Sequence, residues 1–416
     1  MKSKINEKQL KIKICNGRIN KEKYKGGKVK MKNKQERGIT LIALVVTIVV
    51  LLILAGVSIS LVLSNNGVIS KAKDAKNQYA EAQTSDERQL NEVSDWIDTK
   101  VGDTTGGGSV TKIDGVPIPA GFVYVGGTKD SGLVISDATA DKEKYKGQTT
   151  VGTDLVGNQF VWIPVDNIAD YKRTAYSTNV ATGTTDSTTK SEQIKGSSSD
   201  SYYFKEALPE DEKTSVEKNK GYYIGRYEAG DKESTEAKTL RKDGASIRNT
   251  ITVKAGQAPY NKVTRTQAKS LAEAFSTKQG YTSVKSKLIS SYAWDTAIAF
   301  IQKTNSDYGS SSEEGNYRDS PTFTYTGIAD TEKNKQTKAG DTILIPTGQT
   351  TAVNNIYDMG GNVSEWTTES CSLTYNPYTL RGGNYYDHFA GDPAGYRSFD
   401  SDLAYGYRGF RLTLFL

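Results

Sequence analysis

Imidazole and thiol are nearly missing from this chain, whose 416 residues include one His, His388, and two Cys, Cys15 and Cys371. A single imidazole excludes a His-rich metal site and any Ser-His-Asp triad built on more than that one residue. Because Cys15 sits in a basic leader, a body that has lost the leader has no intrachain disulfide, and its stability must rest on a packed core. Cys371 then reads as a small buried hydrophobe. Nine prolines are too few for a long stiff stalk, and Phe (10) is far outnumbered by Tyr (25). With 39 Gly, this composition favours a turn-rich, β-containing body over a helical bundle.

Basic charge is concentrated at the front. Residues 1–38 hold 14 Lys and Arg against 3 Glu, so a leader at +11 in a chain of net +6 leaves the remainder at −5. The body is mildly acidic, which argues against nucleic acid as a partner. The basic excess lies just before an apolar run, where it acts as an orientation signal. No charged residue occurs from Ile39 to Ser70, and Ile39 to Leu63 is almost wholly apolar. At about 1.5 Å per residue such a stretch spans a bilayer as a helix. A removable secretory signal fits less well, because the apolar run continues through Leu61, Val62 and Leu63 with no small-residue cleavage site behind it.

The text KQERGITLIALVV, with Gly38 immediately before Ile39 and with Thr40 and Leu41 following, resembles the type IV prepilin signature. The resemblance implies cleavage by a prepilin peptidase between Gly38 and Ile39, with the apolar helix kept on the mature chain. Met31 lies where a short leader of this kind begins. Ala43 stands where most pilins carry Glu, a departure that points to a minor pilin, a pseudopilin or a simple anchor rather than a bulk filament subunit. Residues 39–101 are expected to form a transmembrane and stem helix, with Val68, Ala72, Ala75, Tyr79 and Ala82 near helical spacing. A Gly-rich linker follows at 102–112.

Residues 113–416 read as an α+β domain. The β-like runs GFVYVGG, NQFVWIPV and GYYIGRYEAG fall between turn signals, a helix is expected to open at Thr264, and another helical stretch surrounds Trp294. The Ser/Thr/Gly-rich stretch from about Ala175 to Ser201 reads as an exposed loop insertion. Toward the end, IYDMGGNVSEWT, LRGGNYY and YRGFRLTLF occur in the order and spacing of the formylglycine-generating-enzyme and sulfatase-modifying family. This resemblance implies a C-type lectin-like fold. The residues also have a plain reading: Gly360–Asn362 and Arg381–Gly383 as tight turns, Trp366 and Phe410 as core aromatics, and Arg381, Arg408 and Arg411 as partners for carboxylates or carbonyls.

The family's oxidising enzymes use a cysteine pair after the RGG turn, and its sulfur-inserting relatives use a histidine cluster for iron. Here that segment, NYYDHFAGDPAGYRSFDSDLAYGY, has no Cys and one His, so the chain is expected not to be an enzyme. The resemblance also implies a calcium turn in which Asp358 and Glu365 supply carboxylates and Gly361 and Val363 supply backbone oxygens. Ca²⁺ is the one cofactor it suggests. The alternative is that Asp358 and Glu365 cap turns and pair with nearby arginines.

Between Asn384 and Tyr407 the composition shifts to Tyr, Asp, Ser, Phe, Gly and Ala, while Lys, Glu, Gln, Met and Trp vanish. The segment resembles the variable region of diversity-generating retroelement proteins, which place changeable residues at the carboxy-terminal end of a lectin-like fold. Candidates for a ligand-binding face over 384–407 are Asn384, Tyr385, Tyr386, Asp387, His388, Phe389, Tyr396, Ser398, Phe399, Asp400, Asp402, Tyr405 and Tyr407. Tyr and Phe give contact area at low entropic cost, and Ser, Gly and Asp add adaptable polar contacts, as in antibody paratopes. The alternative is an ordinary Tyr-rich scaffold loop. The leading expectation is therefore a surface-displayed binder of an extracellular protein or glycan. It would be held in the cytoplasmic membrane or built into a pilus-like structure, with prepilin peptidase and pilus or secretion machinery as further partners. A formylglycine-generating-type oxidase and a structural minor pilin or pseudopilin are the alternatives.

Overall fold

The computed structural model describes residues 45–46, 48–51, 111–176, 193–195, 202–233, 247–248, 251–322, 324–326 and 335–416. The chain divides into two units, Met1–Glu81 and Ala82–Leu416. In the first, Val45, Val46 and residues 48–51 are helical with exposed apolar side chains. Gly38, Ile39, the rest of the expected spanning helix, its stem and the Gly-rich linker up to residue 110 lie outside the described residues. Among the described residues no helix is long and apolar enough to cross a membrane.

The second unit is β-rich, with three α-helices among its described residues. Its central sheet has six strands: β1 (Val123–Gly126), β2 (Val134–Ser136), β3 (Gln159–Pro164), β6 (Gly221–Gly225), β7 (Lys285–Leu288) and β12 (Leu412–Phe415). They lie in the order β7-β12-β6-β3-β2-β1 with every pairing antiparallel. The runs QFVWIP and GYYIG are apolar without alternation because both faces of this sheet are covered. Phe160, Trp162, Tyr223, Leu412 and Leu414 point into one core. Val161, Ile163, Tyr222, Ile224 and Phe415 point into the other. Period-two geometry thus deals neighbouring residues to opposite layers.

Each layer is closed by a helix. α2 (Arg265–Gln279) brings Ala268, Leu271, Ala272 and Phe275 to the first core, and α3 (Ser291–Ile301) brings Ala293, Trp294, Ala297 and Ile298 to the second. α2 opens at Thr264 as expected. The Thr264 hydroxyl accepts from the Gln267 amide, the Gln267 side chain accepts from the Thr264 amide, and Gly280 ends the helix in left-handed conformation. α1 (Glu210–Asn219) carries little apolar surface to announce it. Pro209, followed by Glu210, Asp211 and Glu212 in the first turn, is the start signal it does have.

The second sheet carries the carboxy-terminal motifs. β10 (Arg397–Asp400), β9 (Tyr378–Arg381), β8 (Ser364–Cys371), β5 (Tyr203–Lys205) and β4 (Gln193–Lys195) follow one another, and β11 (Arg408–Phe410) runs parallel to β8. β4 corrects the expectation of a plain loop insertion from Ala175 to Ser201. Ile194 is buried against Phe204 and Cys371, which draws that part of the insertion into the sheet. Trp366 and Phe410 are fully buried in the first core, as expected of core aromatics.

Candidate functional site

The segment 384–407 begins and ends on ordered structure. β9 and β10 pair with Arg381 directly opposite Arg397, so the loop 382–396 leaves and re-enters the sheet at one cross-strand position. Two buried guanidinium groups face to face repel unless counter-charges are built in. Asp295 of α3 supplies one: its Oδ1 accepts from Arg381 Nη2 at 2.6 Å, and its Oδ2 pairs with Arg397 Nη2. Glu369 of β8 supplies the other, accepting from Arg397 Nε at 3.0 Å and from Arg173. All these side chains are almost wholly buried. Burial works against the Glu369 charge, but Arg397, Arg173 and Arg381 outweigh it and hold the carboxyl down to about 2.

The loop is pinned from inside as well. The Trp294 indole N–H donates to Ala394 O at 2.8 Å, and the Tyr317 hydroxyl lies 2.8 Å from Gly382 O and 3.1 Å from Asp392 O. Gly383 has φ +63°, and a Cβ there would stand 2.3 Å from Asp392 O, so the turn admits only glycine. Asn384 forms a local turn, with its amide and side-chain N–H groups donating to Asp387 at 3.0 and 2.6 Å and its Oδ1 accepting from Tyr386 N at 2.9 Å.

Not all the candidate residues face outward. Asn384 and Tyr385 are buried, Tyr385 packing with Leu344 and Val363. Asp400 pairs with Arg408 beneath the surface, and Asp402 accepts from Thr266 N and Oγ1 at 3.1 and 2.5 Å, capping the first turn of α2. Phe399 packs edge-on against Tyr202 at 4.9 Å in a small core with Cys371. Ser398 shares strand β10 with it and is half-buried. Phe389 is half-buried, its amide donating to Asp319. These are scaffold roles, invisible in a list of residue types.

A smaller group remains on one surface. From the buried Tyr385 the rings of Tyr386, Tyr407 and Tyr405 continue in a row with successive ring centroids 4.3, 6.1 and 5.4 Å apart, ending with the Arg408 guanidinium 4.2 Å from the Tyr405 ring. Behind it the same guanidinium lies 5.3 Å from Trp366. Tyr386 is 49% exposed, Tyr405 41% and neighbouring Leu403 50%. Asp387 lies close enough to bear on Tyr407, Asp392 and Tyr396 lie near Asp387, and the exposed imidazole of His388 is 3.1 Å from Asp319. Burial, and then the charge of Asp392, pushes Asp387 up to about 6. Burial also raises Tyr385 and Tyr396 and lowers Arg408 to about 10. Sequence reasoning missed Leu403 and Asp392, which lie in the right segment, and Asp319 and Tyr202, which arrive from elsewhere through topology with no local signal.

The proposed calcium turn has the backbone shape expected of it, with φ +56° at Asp358, +74° at Gly361 and +56° at Asn362. Its carboxylates are engaged by protein donors. Asp358 accepts from Gly348 N at 2.7 Å and Thr350 Oγ1 at 2.6 Å, and Glu365 accepts from Arg411 Nη2 at 2.7 Å. Val363 is buried against Tyr385 and Leu344. Burial, followed by the charges of Asp358 and Glu365, raises Glu228 well above the usual carboxylate range. Among the described residues no group of three or more His, Cys, Asp or Glu is placed to hold a metal ion. The contacts of Asp358 and Glu365 are those of the turn-capping and arginine-pairing alternative.

No protein-family model matches the chain, and no curated protein matches it. Among solved structures, similarity is found to Treponema denticola variable protein 1, with TM-score 0.31 and 13% identity over 64% of this chain and 98% of that one. CarF is similar with TM-score 0.31 and 16% identity over 47% and 87% of the two chains. PvdO from Pseudomonas aeruginosa follows with TM-score 0.28 and 16% identity over 48% and 82%. Likenesses at this level assign neither a family nor an activity.

Proposed function

We propose that this chain is a displayed binding protein in which a prepilin-like amino-terminal segment delivers and anchors a C-type lectin-like body, and the surface formed by 384–407 recognises an extracellular ligand. The observation that carries the reading is the tyrosine row: the exposed ring of Tyr386 stands on the loop 382–396, whose two ends are locked by buried charge pairs, and that of Tyr405 on the next connection, 401–407, which the Asp400–Arg408 pair closes. A rigid base under exposed, low-entropy aromatics is what a recognition surface needs, because little ordering cost is left for the moment of binding. The scaffold roles of Asn384, Tyr385, Phe389, Ser398, Phe399, Asp400 and Asp402 narrow the candidates to Tyr386, Asp387, His388, Tyr396, Tyr405 and Tyr407, to which exposed Leu403 is added. No cofactor is required by this reading, and no catalytic role is assigned.

The test is the gene itself in related isolates. Codon changes concentrated at adenines within 384–407, beside a near-copy template and a reverse transcriptase, support diversification, whereas changes spread evenly along the body would sink it. Replacing Tyr386 and Tyr405 by Ala separates recognition from assembly. Loss of ligand capture with intact surface display fits the proposal, and loss of display itself fits a structural pilin.

A further inference from the structure

The charge that segment 384–407 presents to solvent has one sign. Its ionisable residues are Asp387, Asp392, Asp400, Asp402, His388 and Arg397, with no Lys. Arg397 is buried and consumed by Asp295 and Glu369, and Arg408, just beyond the segment, is buried and paired with Asp400. His388 is turned to Asp319. Asp387 follows Tyr386 in the chain and bears on Tyr407, its Oδ2 accepting from Asn384, and Asp392 lies near Asp387; the charge of His388 bears on both carboxylates. The rings offer their π-faces, which attract cations, and Arg408 already exploits one of them from below at 4.2 Å from Tyr405. The chain beyond residue 38 is itself acidic, at −5.

Resting on the reading of this surface as a recognition face, we propose that its partner is a basic polypeptide, whose Lys or Arg side chains lie on Tyr386 and Tyr405 and point their charge at Asp387 and Asp392. Aromatic rings flanked by carboxylates select a cation with an alkyl stem. They disfavour an acidic chain by repulsion and give a neutral sugar no charge partner. Leu403, exposed between the Asp402 cap and Tyr405, adds an apolar contact for that stem.

The test uses the full-length chain in detergent at low ionic strength, with fluorescent oligolysine and oligoarginine, an oligoglutamate of equal length, and a neutral oligosaccharide as probes. The basic peptides are expected to bind, with salt-dependent affinity. Y386A/Y405A is expected to weaken them about tenfold through loss of two ring contacts, although it changes no charge. A thermal melt showing the parent and the double variant both folded completes the comparison. Basic peptides that fail to bind, or that bind the double variant as well as the parent, overturn the inference. Capture of the oligoglutamate or the sugar, abolished by Y386A/Y405A, overturns the basic class while leaving the recognition face standing.

Discussion

Replacing Asp295 is the sharpest perturbation of the scaffold beneath the loop. In Asp295→Ala, Arg381 and Arg397 stay buried and opposed across the strands with Glu369 as their remaining counter-charge, and the Thr174 amide loses its acceptor at 2.9 Å. Removing one partner from a buried ion pair costs about 3–5 kcal/mol, because the partner's desolvation is no longer offset. For a unit this large, each kcal/mol lowers the melting temperature by roughly 2–4 °C, so a drop of at least about 6 °C is expected. Asp295→Asn keeps the shape and one acceptor oxygen, and should fall between the variant and the parent. Urea titration gives the stability, and amide exchange resolved to 382–396 shows whether the loss begins in the loop. An Asp295→Ala chain within about 0.5 kcal/mol of the parent would refute the argument, because the guanidinium groups would then have found water.

Other consequences follow from the same geometry. Glu206 is buried and close to the Glu369 charge, which together raise it from its ordinary 4.5 to about 7. A raised carboxyl contributes stability that is fully present below pH 4.5 and lost as pH climbs through 7, about 3 kcal/mol in all. Glu206→Gln should therefore match the parent at pH 4 in urea titration and exceed it at pH 8. Glu369 runs the other way, its contribution present above pH 4.5 and lost as pH falls toward 2. Gly383→Ala should cost roughly 3 kcal/mol, since left-handed strain adds to a clash with Asp392 O, and a melting temperature unchanged by the substitution would contradict the turn geometry. The Cys371 thiol, buried in the small core and raised by that burial, should react with a thiol reagent only after unfolding.

Three strands of the central sheet, β1, β3 and β6, and both core-covering helices were legible because their signals are local: apolar runs between turn residues, and Thr264 as a helix start, while β2, β7 and β12 were not read as strands. β4 and α1 were not. Ile194 is a lone apolar residue in a polar stretch, and its strand forms because Phe204 and Cys371 wait on the far side of a long connection. The candidate face was legible as a segment but not as a surface. Composition picked out Tyr, Asp and Ser between 384 and 407, and only register and burial show that Asp402 caps a helix while Tyr405, three residues later, is exposed. The arginines of the RGG and GFR texts were expected to pair with carboxylates or carbonyls, and Arg381 and Arg411 do so. Asp295 and Glu369, the partners of Arg381 from α3 and β8, carried no mark in the sequence, whereas Glu365, the partner of Arg411, did.

The Arg381–Arg397 register pair also fixes the distance between the mouth points of the loop. Closing a chain segment costs entropy that grows with its length, and here that closure is enforced by groups outside the segment. The interval behaves as an exchangeable cassette. Sequences of equal length that keep Gly382, Gly383, the buried Asn384 and Tyr385, and the small Ala394 and Gly395 could be seated in it without renegotiating the fold, which gives this body a practical use as a frame for grafted peptides.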